Sequence, residues 1–219
     1  MQKMLEVKMR KRKSSKQPQK LNPVLRIYTE GEKTEINYVK SYITEYLKQT
    51  GHIGHDVIVT QPDDYSPYGL LQAAINDKDR LANDPIWLVF DCDGHANKAK
   101  TFAEAKNKNI NIAYSSICFE TWILLHFQCT TKPFNCCNEI KKALDEYFDK
   151  GYDKAGSTIF IQAAGEDLQR LQKARANAKK LCMASIKSDP NKNIWERNPY
   201  TNVHELLNAI DTFLKQSKQ

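Results

Sequence analysis

Two short segments concentrate the reactive chemistry of this chain: Glu30-Gly31-Glu32-Lys33-Thr34-Glu35 and Asp91-Cys92-Asp93-Gly94-His95. The second is a D-x-D, which sets two carboxylates on one tight turn. Hard divalent cations such as Mg2+ and Mn2+ favour oxygen ligands of this kind. Two ionised acids ~4 Å apart repel by about 4 kcal/mol at an effective dielectric near 20, so converging carboxylates need a counter-charge, and a cation supplies it. Glu30, Asp91 and Asp93 are therefore the candidate set for one or two cations, with Glu30 also a candidate to move protons. Glu35 and Glu120 are further candidate ligands. Glu120 stands among Phe119, Trp122, Ile123, Leu124 and Leu125, where a carboxylate is seldom buried without a partner. His95, two residues past the D-x-D, is a candidate to contact a phosphate or activate water, and Lys33 to neutralise a phosphate. His126 and His204 lie in helical patterns, where histidine more often packs and hydrogen-bonds than ligates.

These residues need elements to position them. Periodicity predicts strands over 24–29, 56–60, 85–90 and 110–114, alternating with helices over 36–49, 68–81 and 98–106. The continuous apolar run at 85–90 is the pattern of a strand covered on both faces, and the alternation implies a parallel sheet. Beyond Ser115 the spacing turns helical, over 118–127, 137–148, 163–185 and 203–215. Asn202, with Glu205 three residues on, predicts a capping arrangement for the last helix. The expected organisation is a basic tail (1–20), an α/β core (21–115) and a helical extension packed on it (116–219). Ligands of parallel sheets bind outside the carboxyl ends of the strands, and both acidic segments follow a predicted strand directly.

Charge is divided unevenly. Residues 1–20 carry eight bases and one acid, which accounts for the whole formal net charge of +7 and leaves the remainder neutral. Such an arm, including Arg10, Lys11, Arg12 and Lys13, suits a phosphate backbone through counterion release and points to a nucleic-acid partner. The six cysteines contain no C-x-x-C and do not offer a four-ligand zinc site, so free buried thiols are expected. No apolar stretch approaches 18 residues and the basic start has no apolar h-region, so neither a membrane span nor a secretory signal is expected. The expected location is cytoplasmic.

The segments V-L-R-I-Y-T-E-G (24–31) and W-L-V-F-D-C-D (87–93) resemble the Toprim domain, a metal-binding fold of primases, topoisomerases and several nucleases. More specifically, E-G-E-K-T-E (30–35), D-x-D-x-H (91–95), C-F-E-T-W-I-L-L-H-F (118–127) and N-P-Y-T-N-V-H-E-L-L (198–207) together resemble the RloB family. That resemblance implies a Toprim-like, Mg2+- or Mn2+-dependent nuclease of restriction-linked, abortive-infection phage defence, acting on DNA or RNA. It also implies Glu30, Asp91 and Asp93 as the site and a separate ATPase as a partner. Related defence nucleases have E-G-x-T-E, whereas here one extra residue separates Glu30 from Glu35. The alternative expectation is a non-catalytic nucleic-acid-binding or regulatory subunit of a defence complex.

Overall fold

Short runs rich in β-branched and aromatic residues form the strands of this protein, and amphipathic stretches between them form the covering helices. The computed structural model describes residues 22–50, 57–92, 94, 97–149, 151–165 and 167–216. In its first half, β1 (Leu25–Thr29), α1 (Thr34–Thr50), β2 (Val57–Thr60), α2 (Pro67–Asn76), β3 (Ile86–Asp91), α3 (Lys98–Asn107) and β4 (Asn111–Ser116) follow the predicted alternation. The second half contributes α4 (Glu120–Leu124), α5 (Cys137–Asp145), α6 (Ile159–Ala164), α7 (Gln169–Ser188), β5 (Tyr200–Thr201) and α8 (Val203–Gln216). The strand order is β2-β1-β3-β4-β5, parallel except for β5, which pairs antiparallel to the end of β4. The fold is thus α/β, with a mostly parallel sheet flanked by helices and a C-terminal helix.

Strand side chains alternate between two cores, as the pleat requires. Leu25, Ile27, Trp87, Val89 and Ala113 face α1 and all the helices of the second half, forming one large cluster. Tyr28, Ile86, Leu88, Phe90 and Tyr114 face α2 and α3 in a smaller one. The helical half therefore shares its core with the sheet. Among the described residues, no helix is long and apolar enough to cross a membrane.

Arg26 interrupts the apolar pattern of β1. Its Nε donates to Asp84 Oδ2 at 2.8 Å and its Nη1 to Asp77 Oδ2 at 3.0 Å, which ties β1 to the connection between α2 and β3. Burial alone would raise the Asp84 carboxyl, but the Arg26 hydrogen bond and the N–H groups of Val24 and Leu81 outweigh it and hold it below the usual range.

The structure corrects several element boundaries. Helix α2 stops at Asn76 rather than continuing to 81, because Asp77 turns extended and its carboxylate accepts from Arg26, the Tyr28 hydroxyl and the Asp79 N–H. The single helix expected over 163–185 is two. Gly165 ends α6 at φ +81°, and Arg170 donates to the Gln162 and Ala163 carbonyls that this leaves open. Asn202 does pair with Glu205 at the start of α8: its carbonyl accepts from Glu205 N at 2.8 Å and its Nδ2 donates to Glu205 Oε2 at 3.2 Å. Its side chain also serves the sheet, where Oδ1 accepts from Tyr114 N at 2.7 Å and Nδ2 donates to Ile112 O at 3.0 Å, which extends the pairing of β4 beyond β5.

Candidate functional site

With the order β2-β1-β3-β4, the connections leave β1 and β3 in opposite directions, and a crevice opens between their carboxyl ends. Glu30 is the residue after β1 and Asp91 the last of β3, so both acidic segments lead into it. The Glu30 N–H continues the ladder to Val89 O at 2.9 Å, and Gln61 Nε2 donates to the Glu30 carbonyl at 2.9 Å. With its backbone fixed, Glu30 turns its carboxylate toward the neighbouring strand, where Oε2 accepts the backbone N–H of Asp91 at 3.0 Å.

A cavity of about 470 Å³ lies at this edge, with the acidic residues Glu30, Glu32, Glu35, Asp91 and Glu120 in its lining. Glu35 is in the first turn of α1, where the helix dipole favours an anion. It is buried, and its carboxylate folds back over Gly31 so closely that a Cβ at that position would collide with it. Glu120, the first residue of α4, is also buried; its Oε1 accepts from the Tyr152 hydroxyl at 3.3 Å. Burial and the neighbouring Glu120 raise the Tyr152 phenol far above its ordinary value, so it remains a donor.

Three lysines, Lys33, Lys141 and Lys154, also line the cavity. Lys154 belongs to a loop fastened along one face of α1. Thr34 Oγ1 donates to the Lys154 carbonyl at 2.9 Å, Asn37 Nδ2 to Ala155 O at 3.2 Å and Ser41 Oγ to Ser157 O at 3.0 Å. Nothing in the spacing of 150–161 signalled that role, and Lys141 and Tyr152 were likewise invisible without the fold.

Cys118 and Cys137 also line the cavity and are joined as a disulfide with Cα atoms 5.9 Å apart, while Cys129 and Cys136 are exposed. This corrects the expectation of free buried thiols. Ligand atoms of Cys118, Glu120 and Cys137 lie within 4.8 Å of one another, the spacing of a metal group. Disulfide sulfurs, however, are not the thiolates that a metal takes, so the paired state argues against an ion held by this trio and leaves Glu120 as the one ligand among the three.

Of the predicted site residues, Glu30, Asp91, Glu35, Glu120 and Lys33 therefore share one cavity. Asp93, His95, Arg10, Lys11, Arg12 and Lys13 lie outside the described residues. His126 is elsewhere, fully buried: its Nε2 accepts from the Tyr38 hydroxyl at 3.1 Å, while Nδ1 faces the Trp122 and Ile123 carbonyls. Burial pushes its pKa down to about 4, so it packs as the neutral ring. His204 is buried on α8 and does not line the cavity; burial lowers it too.

Residues 25–210 match the family model described as RloB-like protein, and the chain belongs to that family. No curated protein and no solved structure matches it.

Proposed function

We propose that this RloB-like protein is a Toprim-type phosphodiesterase of phage defence, hydrolysing DNA or RNA with Mg2+ or Mn2+. Family membership supports the defence role. The observation that carries the chemistry is the meeting of Glu30, Glu35, Asp91 and Glu120 in one cavity at the point where the strand order reverses. Ionised carboxylates are acceptor-only groups, and two of these four are buried. A hard cation is the partner such a set fits, with Asp93 completing the D-x-D.

When bound, the cation would acidify a coordinated water and offset charge developing on the phosphate. The chain's own residues do the rest. The Asp91 N–H keeps Glu30 oriented, and His95 is the candidate for proton movement. Lys33, Lys141 and Lys154 supply positive charge for the phosphates on either side of the reacting one. The basic arm, with Arg10, Lys11, Arg12 and Lys13, holds the nucleic acid by counterion release. A separate ATPase subunit is the protein partner the family resemblance implies, and the cytoplasm is where such a system works. The arm alone also suits a non-catalytic nucleic-acid-binding subunit. That reading leaves the carboxylates without a purpose, since they repel phosphate.

The test is incubation of the purified chain with total RNA, plasmid and single-stranded DNA, in Mg2+, Mn2+ or EDTA. The proposal expects cleavage of at least one substrate class, only with cation, and its loss in Asp91→Asn. Cleavage that persists in EDTA or in that variant refutes it, and cation-independent binding without cleavage favours the binding subunit.

A further inference from the structure

The wall of the carboxylate cavity contains a covalent link that the proposed hydrolysis does not use. Cys118 lies between β4 and α4, two residues before Glu120, and Cys137 is the first residue of α5. The bond therefore joins the helix that bears Glu120 to the helix that bears Lys141, one turn beyond Cys137. Their Cα separation of 5.9 Å is that of an ordinary disulfide, so the backbone needs no rearrangement to make it. Cys118 is 5% exposed, whereas Cys137 is half-buried and accessible from the cavity.

The sulfur also touches the site directly: Cys137 Sγ lies 3.5 Å from Glu120 Oε2. A disulfide sulfur has no proton to donate, but a thiol has one. In the oxidised chain the Tyr152 hydroxyl on Oε1 is, among the described residues, the donor that faces Glu120, which leaves the Oε2 lone pairs for a cation. In the reduced chain the Cys137 thiol can occupy Oε2, and α5 loses its covalent tether to α4.

We propose that Cys118 and Cys137 are a reversible thiol–disulfide site, oxidised by a small-molecule disulfide, and that oxidation strengthens divalent-cation binding in the adjoining cavity. The coupling rests on the cation reading of that cavity; the redox site itself does not. In the oxidising step the Cys137 thiolate, the more accessible of the two, attacks glutathione disulfide and one glutathione leaves. The Cys118 thiolate then attacks the Cys137 sulfur of the mixed disulfide and expels the second. One sulfur–sulfur bond breaks and one forms. Two electrons pass from the cysteines to glutathione, and the two protein protons end on the two glutathione thiols. In a reducing compartment the pair rests as thiols and forms the bond when the disulfide pool rises.

The experiment poises the full chain in glutathione buffers of graded ratio, traps thiols by alkylation for mass spectrometry, and measures Mn2+ binding by electron paramagnetic resonance at each poise. The expected result is a Cys118–Cys137 bond in oxidising buffer and an Mn2+ dissociation constant about fivefold or more lower in that state. Linkage requires Mn2+ to shift the half-oxidation ratio by the same factor. Cys136→Ser should behave as wild type, and the double variant Cys118→Ser/Cys137→Ser should show the reduced protein's Mn2+ affinity in every buffer. Absence of the bond under oxidising conditions overturns the proposal, and so does a bond that leaves Mn2+ affinity unchanged. If Mn2+ binds neither state, the cation reading of the cavity fails and the coupling with it, while alkylation still decides whether the pair is a redox site.

Discussion

The backbone N–H of Asp91 donates to Glu30 Oε2 at 3.0 Å, so the acid that follows β1 is oriented by the residue that ends β3. Two residues 61 positions apart thus meet at one edge of the sheet through a hydrogen bond from the backbone of one to the side chain of the other. Substitution of the Asp91 side chain leaves that N–H in place, which separates the charge of Asp91 from the geometry of Glu30.

Gly31 tests the place of Glu35. Its φ is not positive, so the backbone tolerates a side chain, but a methyl group there collides with the Glu35 carboxylate. Because that carboxylate is the end of a flexible side chain, it can swing away at little cost to folding. Gly31→Ala should keep stability within about 0.5 kcal/mol of wild type while lowering cation-dependent cleavage as far as Glu35→Gln does. Full activity in Gly31→Ala would remove Glu35 from the site.

Removing Asp84 should damage the fold without touching the site. Arg26 would keep its buried charge and lose its shortest ion pair, a change that typically costs about 3–5 kcal/mol. Urea unfolding of Asp84→Ala checks the magnitude. Arg26 Nη2 also donates to the Asp79 carbonyl, and a cost under ~1 kcal/mol would mean that this bond and Asp77 suffice to hold Arg26.

The buried His126 sets a pH dependence of stability. The unfolded chain takes up this proton near the ordinary value of 6.5, whereas the folded chain takes it up only at about 4. The stabilising effect is therefore complete above pH 6.5 and is lost as pH falls toward 4, by about 3 kcal/mol over the window. Asp77 and Asp84 are held below the usual carboxylate range and titrate beneath it. His204 shifts in the same direction as His126, so the comparison is with His126→Gln, in which the slope of stability against pH between 6.5 and 4.5 should flatten. An unchanged slope contradicts the assignment.

Deleting residues 1–20 removes the whole net charge of +7. Affinity for nucleic acid should drop, and the slope of log affinity against log salt should flatten by about 0.9 for every duplex phosphate that the arm no longer neutralises. Cleavage at saturating substrate should survive. An identical slope would show that the arm does not meet phosphate.

Much of this was legible from periodicity and position. The continuous run at 85–90 forms β3, and the acids after β1 and β3 fall at the strand ends where the alternation of elements places them. What escaped depends on interactions between distant segments. Arg26 reads as an exception in β1 because its partners lie 51 and 58 residues away. Cys118 and Cys137, 19 apart, fit no spacing rule, since a disulfide reflects proximity in space. The helix expected over 163–185 divides because helical periodicity persists across Gly165, whose left-handed backbone no pattern of apolar residues reports. Asn202 meets Glu205 at the start of α8 as its sequence neighbours suggest, whereas its second role, pairing with Ile112 and Tyr114 of β4, 90 and 88 residues away, is one no local pattern reports.

The central claim is that the carboxylates at the ends of β1 and β3 converge on a divalent cation, and thermal unfolding of wild type and Asp91→Asn, each in EDTA and in Mn2+, tests it most directly. Without cation the wild-type acids repel, so the near-isosteric variant should melt higher in EDTA, each kcal/mol of relief being worth roughly 2–4 °C at this chain length. Mn2+ should raise the wild-type midpoint, because a ligand that binds only the folded state stabilises it by mass action, and should raise that of the variant far less. A variant that melts lower than wild type in EDTA and keeps the full Mn2+ shift would contradict the account, making Asp91 a structural residue and leaving the cation, if one binds, to other ligands.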